Sequence, residues 1–305
     1  MMAIRKVTDI LDVAKATQRR WRVSVPAPHE GSILTAVTRA RDLGFADLVF
    51  FGDRRLTQSV AEKHNLDIES HCSFTEVAGE QETVAQSTAC VREGRADLLV
   101  KGLVQTSSLI RAVLQHELGL RSQRLLSHVG VFDDPVSGRL MLVTDAGINI
   151  APNVDRKVKI VKNAVDVAHA LGIAEPRVAL LAAIDTLNYP AMQATLDAAL
   201  VARIAAGGAV PGALVEGPFA LDNAVSLKAA GKKTRKGRVA GCADILCAPE
   251  IETANVLYKA LQIFCGVTFA SVVVGGSKPV AVPSRADSPD SKLMSIALAC
   301  LLSTR

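Results

Sequence analysis

The stretch Val282-Pro283-Ser284-Arg285-Ala286-Asp287-Ser288-Pro289-Asp290 decides how this chain is read. It follows an apolar run, Ala270-Ser271-Val272-Val273-Val274, and a Gly275-Gly276 turn, and it leads into an amphipathic segment at 292–302. The run has strand character and the segment helix character, so the stretch is a strand-to-helix junction. Ser288 is a natural N-cap, Pro289 suits the first helical turn, and Asp290 suits the positive end of the helix dipole. A serine and an arginine therefore stand just ahead of a helix N-terminus, where backbone N–H groups favour an anion. The planar fork of arginine matches phosphate with two hydrogen bonds, and a hydroxyl bonds either phosphate or an acyl oxygen. The same residues also fit a plain cap with a surface arginine beside it.

The alternation seen at this junction runs through the whole chain. Strands are predicted at 22–27, 46–51, 97–100 and 178–182, and helices at 32–42, 82–93, 106–117, 154–171 and 190–205. Ile4, Val7, Ile10, Leu11 and Ala14 recur at helical spacing and predict a first amphipathic helix. Segments 125–132 and 140–144 flank Asp133-Asp134-Pro135-Val136-Ser137-Gly138, which reads as a hairpin turn. Repeated βα units imply an α/β protein with a mostly parallel, doubly wound sheet, the hairpin being an antiparallel exception. The break in rhythm at the hairpin predicts that a first domain ends near Ser127. There is no internal repeat.

At 305 residues the chain is long enough for a large core in two domains. Its 49% hydrophobic and 21% charged content is that of an ordinary globular enzyme. A net charge of +5 suits anionic small molecules better than nucleic acid. The six cysteines (72, 90, 242, 247, 265 and 300) are scattered, without a CxxC pair, and suggest reduced thiols in a cytoplasmic protein. No apolar run approaches the roughly 18 residues of a membrane span, and residues 1–22 lack the pattern of a secretory signal. The absence of a P-loop, and of GxGxxG after the first strand, argues against nucleotide hydrolysis and a dinucleotide site.

Several further segments fall in a telling order. They are Val100-Lys101-Gly102 with Thr106, the run Leu109-Ile110-Arg111-Ala112-Val113-Leu114, Glu216-Gly217-Pro218-Phe219-Ala220-Leu221-Asp222-Asn223, and Ala243-Asp244-Ile245-Leu246-Cys247-Ala248-Pro249-Glu250 running on to Lys259. Together with Ser284-Arg285-Ala286-Asp287-Ser288, the chain resembles the phosphate acetyltransferase and phosphate butyryltransferase family, and its butyryl branch more than its acetyl branch. The resemblance spans nearly the whole chain. It implies two α/β/α domains of the isocitrate/isopropylmalate dehydrogenase kind, 1–127 with a returning 271–305 and 128–270, and an active cleft between them. It also implies reversible acyl transfer between coenzyme A (CoA) and inorganic phosphate, giving acyl phosphate. No metal or permanently bound cofactor is implied, and the expected assembly is a homodimer or a larger even one.

Within that resemblance Ser284 donates to the reacting group and Arg285 holds phosphate. The acetyl branch places an acid seven residues beyond the motif serine, but here that position is Ser291, so the base is open between Asp287 and Asp290. Asp290 lies nearer the family's acid position, and both aspartates also read as capping residues. Lys101, Gly102 and Thr106 form either a phosphate or acyl-oxygen contact or a turn and cap. Asp145 and Asn149, after Thr144, line the cleft or close a turn, while Asn255 and Lys259, four apart on the helix that carries Tyr258, either contact substrate or are core packing plus a solvated lysine. His29 reads as a capping-loop residue, and Glu216-Gly217-Pro218 as backbone shape. The basic run 232–238 is either a CoA contact or a solvated face. Two other functions stay open: a metal-dependent decarboxylating-dehydrogenase relative, for which Asp222, Asp244 and Asp287 are poorly spaced, and a CoA-binding protein without catalysis.

Overall fold

A computed structural model describes residues 4–232 and 237–304, so the centre of the basic run, 233–236, lies outside the described residues. In chain order the elements are α1 (Val7–Ala16), β1 (Trp21–Pro26), α2 (Gly31–Asp42), β2 (Ala46–Gly52), α3 (Arg54–His64), β3 (Cys72–Glu76), α4 (Glu80–Arg92), β4 (Leu98–Val100) and α5 (Thr106–Leu114). There follow β5 (Ser127–Asp133), β6 (Leu140–Thr144), α6 (Val154–Ala170), β7 (Arg177–Leu181), α7 (Gln193–Ile204), β8 (Leu214–Phe219), α8 (Leu221–Val225), α9 (Leu227–Lys232), β9 (Ile245–Cys247) and α10 (Ile251–Cys265). The last are β10 (Phe269–Val274), β11 (Val280–Ala281) and α11 (Pro289–Leu302). Residues up to Arg124, with those from Thr268 onward, form one compact unit, and Leu125–Val267 forms another.

The first unit carries strands in the order β3-β2-β1-β4-β11-β10. Every neighbouring pair is parallel except β10 with β11. Val23 of β1 stands in register with Leu48 on one side and Leu98 on the other. All three are fully or almost fully buried, as expected of strands covered on both faces. The chain runs outward from β1 to β2 and β3, then returns to add β4 on the other side of β1. The winding direction thus reverses between β1 and β4, which is where open α/β sheets leave a crevice for ligands at the carboxyl ends of the strands.

Ser288 caps α11 as the sequence predicts, its hydroxyl accepting from the Ser291 N–H at 3.2 Å, with Pro289 in the first turn. The expected amphipathic pattern is corrected: all ten residues Ser291–Cys300 are buried. The helix packs on β10, α2 and α1, so it has no solvent face and its sequence is apolar or small almost all round. Ser295 is accommodated because its hydroxyl donates to Ser291 O at 2.8 Å and accepts from Ser271 N–H at 2.8 Å.

The second unit has strand order β5-β6-β9-β7-β8. The predicted hairpin is present, β5 running antiparallel to β6 with Asp133 opposite Leu140, and its turn is held by Asp134, which accepts from the N–H groups of Val136 and Ser137. The other pairs are parallel. Among the described residues no helix is long and apolar enough to cross a membrane.

Candidate functional site

The carboxyl ends of β1, β4 and β11 bring three loops together in the first unit. Gly102 explains how closely two of them approach: a Cβ there would lie 1.9 Å from Pro26 O and 2.6 Å from Ala27 O. Leu103 N–H donates to Ala27 O at 2.8 Å, and Lys101 N–H donates to Ala281 O at 2.9 Å, so the β4 loop is tied to both neighbours. Lys101 and Gly102 therefore stand at the carboxyl end of β4, beside the winding reversal.

Lys101 is 6% exposed, and its ammonium donates to Gly102 O at 3.5 Å. Desolvation first, and then the positive charges of Arg285 and Lys292, pull its pKa below the ordinary lysine value of 10.5. Among the described residues neither Lys101 nor Arg285 has an ion-pair partner. A buried lysine lying near two further positive charges is suited to an anion. The depressed pKa carries a linkage consequence. The folded state holds this proton less tightly than the unfolded chain, so stability should rise with pH across the window below 10.5. Lys101→Met is expected to lose that slope, to melt no lower than wild type at neutral pH, and to raise the Michaelis constant for phosphate. Melting curves against pH, beside phosphate kinetics, check it; an unchanged pH slope would remove the buried charge from the argument.

Ser284 and Asp287 close a tight turn, Ser284 N–H donating to Asp287 Oδ2 at 2.6 Å and Asp287 N–H donating to Ser284 O at 3.1 Å. Asp287 is buried, whereas Arg285 and Ala286 form the exposed tip. Asp290, the aspartate nearer the family's acid position, faces another way: its side chain is 65% exposed and accepts from Arg39 at 2.6 Å. Thr106 is exposed at the first position of α5.

In the second unit Asp145 and Asn149 organise the turn after β6. The Asp145 carboxylate accepts from the N–H groups of Gly147, Ile148 and Asn149, and from Asn149 Nδ2 at 2.6 Å. Asn149 Nδ2 also donates to Leu126 O, and Asn255 Nδ2 on α10 donates to Ala146 O. These three residues are brought together, as builders of the turn. Lys259 stands apart, donating to Gln262 Oε1 at 3.2 Å and lying 5.4 Å from the centre of the Tyr258 ring. Gly217 is a shape residue as expected, since a Cβ there would meet Leu180 Cβ at 2.6 Å. Asp222 accepts from Asn223 N–H, Asp244 is paired with Arg177, and Asp287 sits in its own turn, so each of the three aspartates weighed as metal ligands has a separate role.

Sequence reading missed Glu30, Ser32 and Lys292, which meet beside this crevice. The one signal was a lysine inside an apolar helix, which reads equally well as the polar face of an amphipathic one.

An open, mostly parallel sheet with a buried lysine beside its winding reversal defines an α/β protein of the doubly wound kind. The family described as Phosphate acetyl/butaryl transferase matches residues 76–300. The chain is 42% identical over 284 residues to the phosphate butyryltransferase of Clostridium beijerinckii, covering 93% of each. It is also 42% identical over 298 residues to the probable phosphate butyryltransferase of Bacillus subtilis, covering 96% of this chain and 97% of that one. A crystal structure of a branched-chain phosphotransacylase from Enterococcus faecalis superimposes with a TM-score of 0.81 at 33% identity, over 93% of this chain and 99% of that one. The chain belongs to the phosphate acetyl/butyryl transferase family and is an enzyme of that type, transferring acyl groups between CoA and phosphate. This membership sets aside the dehydrogenase alternative.

Proposed function

We propose that this enzyme moves a short straight-chain acyl group, butyryl in preference to acetyl, between CoA and inorganic phosphate, with phosphate seated against Lys101, Arg285 and Ser284. The observation that carries the seat is Lys101, a buried cation without an ion-pair partner among the described residues, beside a second cation on an exposed turn. Phosphate oxygen attacks the thioester carbonyl, the carbonyl electrons move onto oxygen, and the C–S bond then breaks as the thiolate of CoA departs. In reverse the thiolate attacks acyl phosphate and phosphate leaves. Lys101 and Arg285 neutralise phosphate in both directions, and the Ser284 hydroxyl donates to the developing oxyanion. Thr106, at the start of α5, borders the same loop. Asp145, Asn149 and Asn255 serve the acyl-CoA by holding the turn after β6, and Lys259 by its charge. CoA and phosphate are substrates, with no cofactor permanently held.

The division of the chain into two compact units favours the two-domain organisation of the isocitrate/isopropylmalate dehydrogenase kind. Val256, Ile263 and Phe264 on α10 are largely exposed and suit a homodimer contact. All six cysteines are free thiols, which fits a cytoplasmic setting.

For the base, Asp287 fits better than Asp290, because it shares the Ser284 turn whereas Asp290 is taken by Arg39 at the surface. Asp290→Asn is expected to leave turnover near wild type and to cost at most a few tenths to about 1 kcal/mol of stability. Asp287→Asn is expected to cut turnover severely in the CoA-consuming direction. Rates of both variants, with their melting temperatures, decide the matter; the opposite ranking would return the role to Asp290.

The direct test of the function is thiol release from butyryl-CoA and acetyl-CoA, with and without phosphate and chelator. Release should require phosphate, ignore chelator, and favour butyryl-CoA in kcat/KM by at least the roughly 10- to 200-fold that a single methylene is worth. Phosphate-independent release would overturn the assignment.

A further inference from the structure

We propose that Lys292 is a positioning residue which, paired with Glu30, aims the backbone of the Ser284–Asp287 turn at phosphate; this rests on the phosphate seat described above. Lys292 is 2% exposed and lies in the second turn of a helix buried on all sides. Its ammonium donates to Asp287 O at 3.1 Å, to Arg285 O at 3.3 Å and to the Ser32 hydroxyl, and it stands 3.6 Å from Glu30 Oε2. Glu30 is in turn the N-cap of α2, accepting from Ser32 N–H at 3.0 Å and Ile33 N–H at 2.9 Å. One buried cation thus binds the loop after β1 to the loop after β11.

Such a pair is a poor device for stability alone, since an apolar replacement of similar volume is often neutral or better. Its geometry suggests another use. In a trans peptide the N–H points opposite to the carbonyl of the same unit. Drawing the carbonyls of Arg285 and Asp287 toward Lys292 therefore turns the N–H groups of Ala286 and Ser288 away from it, on the side of the exposed tip. Among the described residues neither N–H has a protein acceptor. Two backbone donors beside the Arg285 guanidinium make a concave anion seat of the kind that successive N–H groups form. Glu30 meanwhile balances Lys292, leaving the net positive charge on Lys101 and Arg285, where phosphate is held.

Steady-state kinetics and melting temperatures of Lys292→Met, of Lys292→Met combined with Glu30→Gln, and of Arg285→Ala test the proposal. Lys292→Met should melt lower, because Glu30 loses its counter-charge, and should raise the phosphate KM on the order of 10- to 100-fold, as expected of misplaced binding groups. The KM for butyryl-CoA should stay within about twofold, since the backbone groups that Lys292 aims belong to the phosphate turn. The double variant removes both charges and should regain the melting temperature while its phosphate KM stays high. If the single variant does not fold, the double variant alone decides. Recovery of the phosphate KM together with the melting temperature, or an equal rise in both Michaelis constants, would reduce Lys292 to a structural residue. An unchanged phosphate KM in Arg285→Ala would instead overturn the phosphate seat itself.

Discussion

In Arg285→Ala the Michaelis constant for phosphate is expected to rise roughly 10- to 150-fold, the equivalent of a charge-assisted hydrogen bond of about 1.5–3 kcal/mol. The side chain is exposed on a turn tip and has no ion-pair partner among the described residues, so its loss should scarcely move the melting temperature. Arg285→Lys retains the charge but not the planar fork, and should fall between alanine and wild type in both phosphate KM and turnover. Phosphate kinetics of the two variants at fixed acyl-CoA provide the check. An alanine variant with ordinary phosphate kinetics would take Arg285 out of the site.

A second large effect is expected from a single methyl group. In Gly102→Ala the new carbon would stand 1.9 Å from Pro26 O and 2.6 Å from Ala27 O, both backbone atoms that no side-chain rotation can clear. The loops after β1 and β4 must then separate, at a cost of roughly 1–3 kcal/mol or more by analogy with overpacked cores. Since Lys101 is the neighbouring residue, catalysis should suffer beyond the loss of stability. The melting temperature should drop, and turnover at a temperature where the variant is fully folded should remain low. A variant that matches wild type in both would show that the loops do not need this approach.

Much of this architecture is legible in the sequence wherever burial imposes a period. The hairpin at Asp133–Gly138, the Ser288 cap and most βα units follow from local pattern, because turn chemistry and strand or helix periodicity act over a few residues. The reading fails where that coupling is weak. Neither α3 nor β3 is visible in the pattern: α3 buries only Thr57 and Ala61, and β3 has no fully buried residue, so neither shows an apolar period. The short β11 has two residues, too few for any period. In α11 the serines and Lys292 imitate a polar face, although hydrogen bonds from distant loops satisfy them inside the core. The site divides in the same way. Ser284, Arg285 and Lys101 are legible as candidates by residue type and position, whereas the Lys292–Glu30 pair and the Arg39–Asp290 pair join residues more than 250 positions apart. No local pattern reports a partner at that separation. Hence the sequence favoured Asp290 as the acid, and only the folded chain shows where its carboxylate is engaged.

The burial of α11 on every side also sets an order of assembly. The second unit is one continuous stretch of chain, whereas the first needs α11 and β11, which a ribosome makes only after roughly 140 further residues. At about 5–20 residues per second that is a delay on the order of 7–30 s. Until then β4 lacks the neighbour it pairs with through Leu99 and Val100, and the apolar side chains that α11 will cover on α2 and α1 stay open to water. The unit that carries the proposed phosphate seat is therefore the last to mature during synthesis, and the nascent chain carries an unpaired strand edge through that interval, when it is most in need of a chaperone.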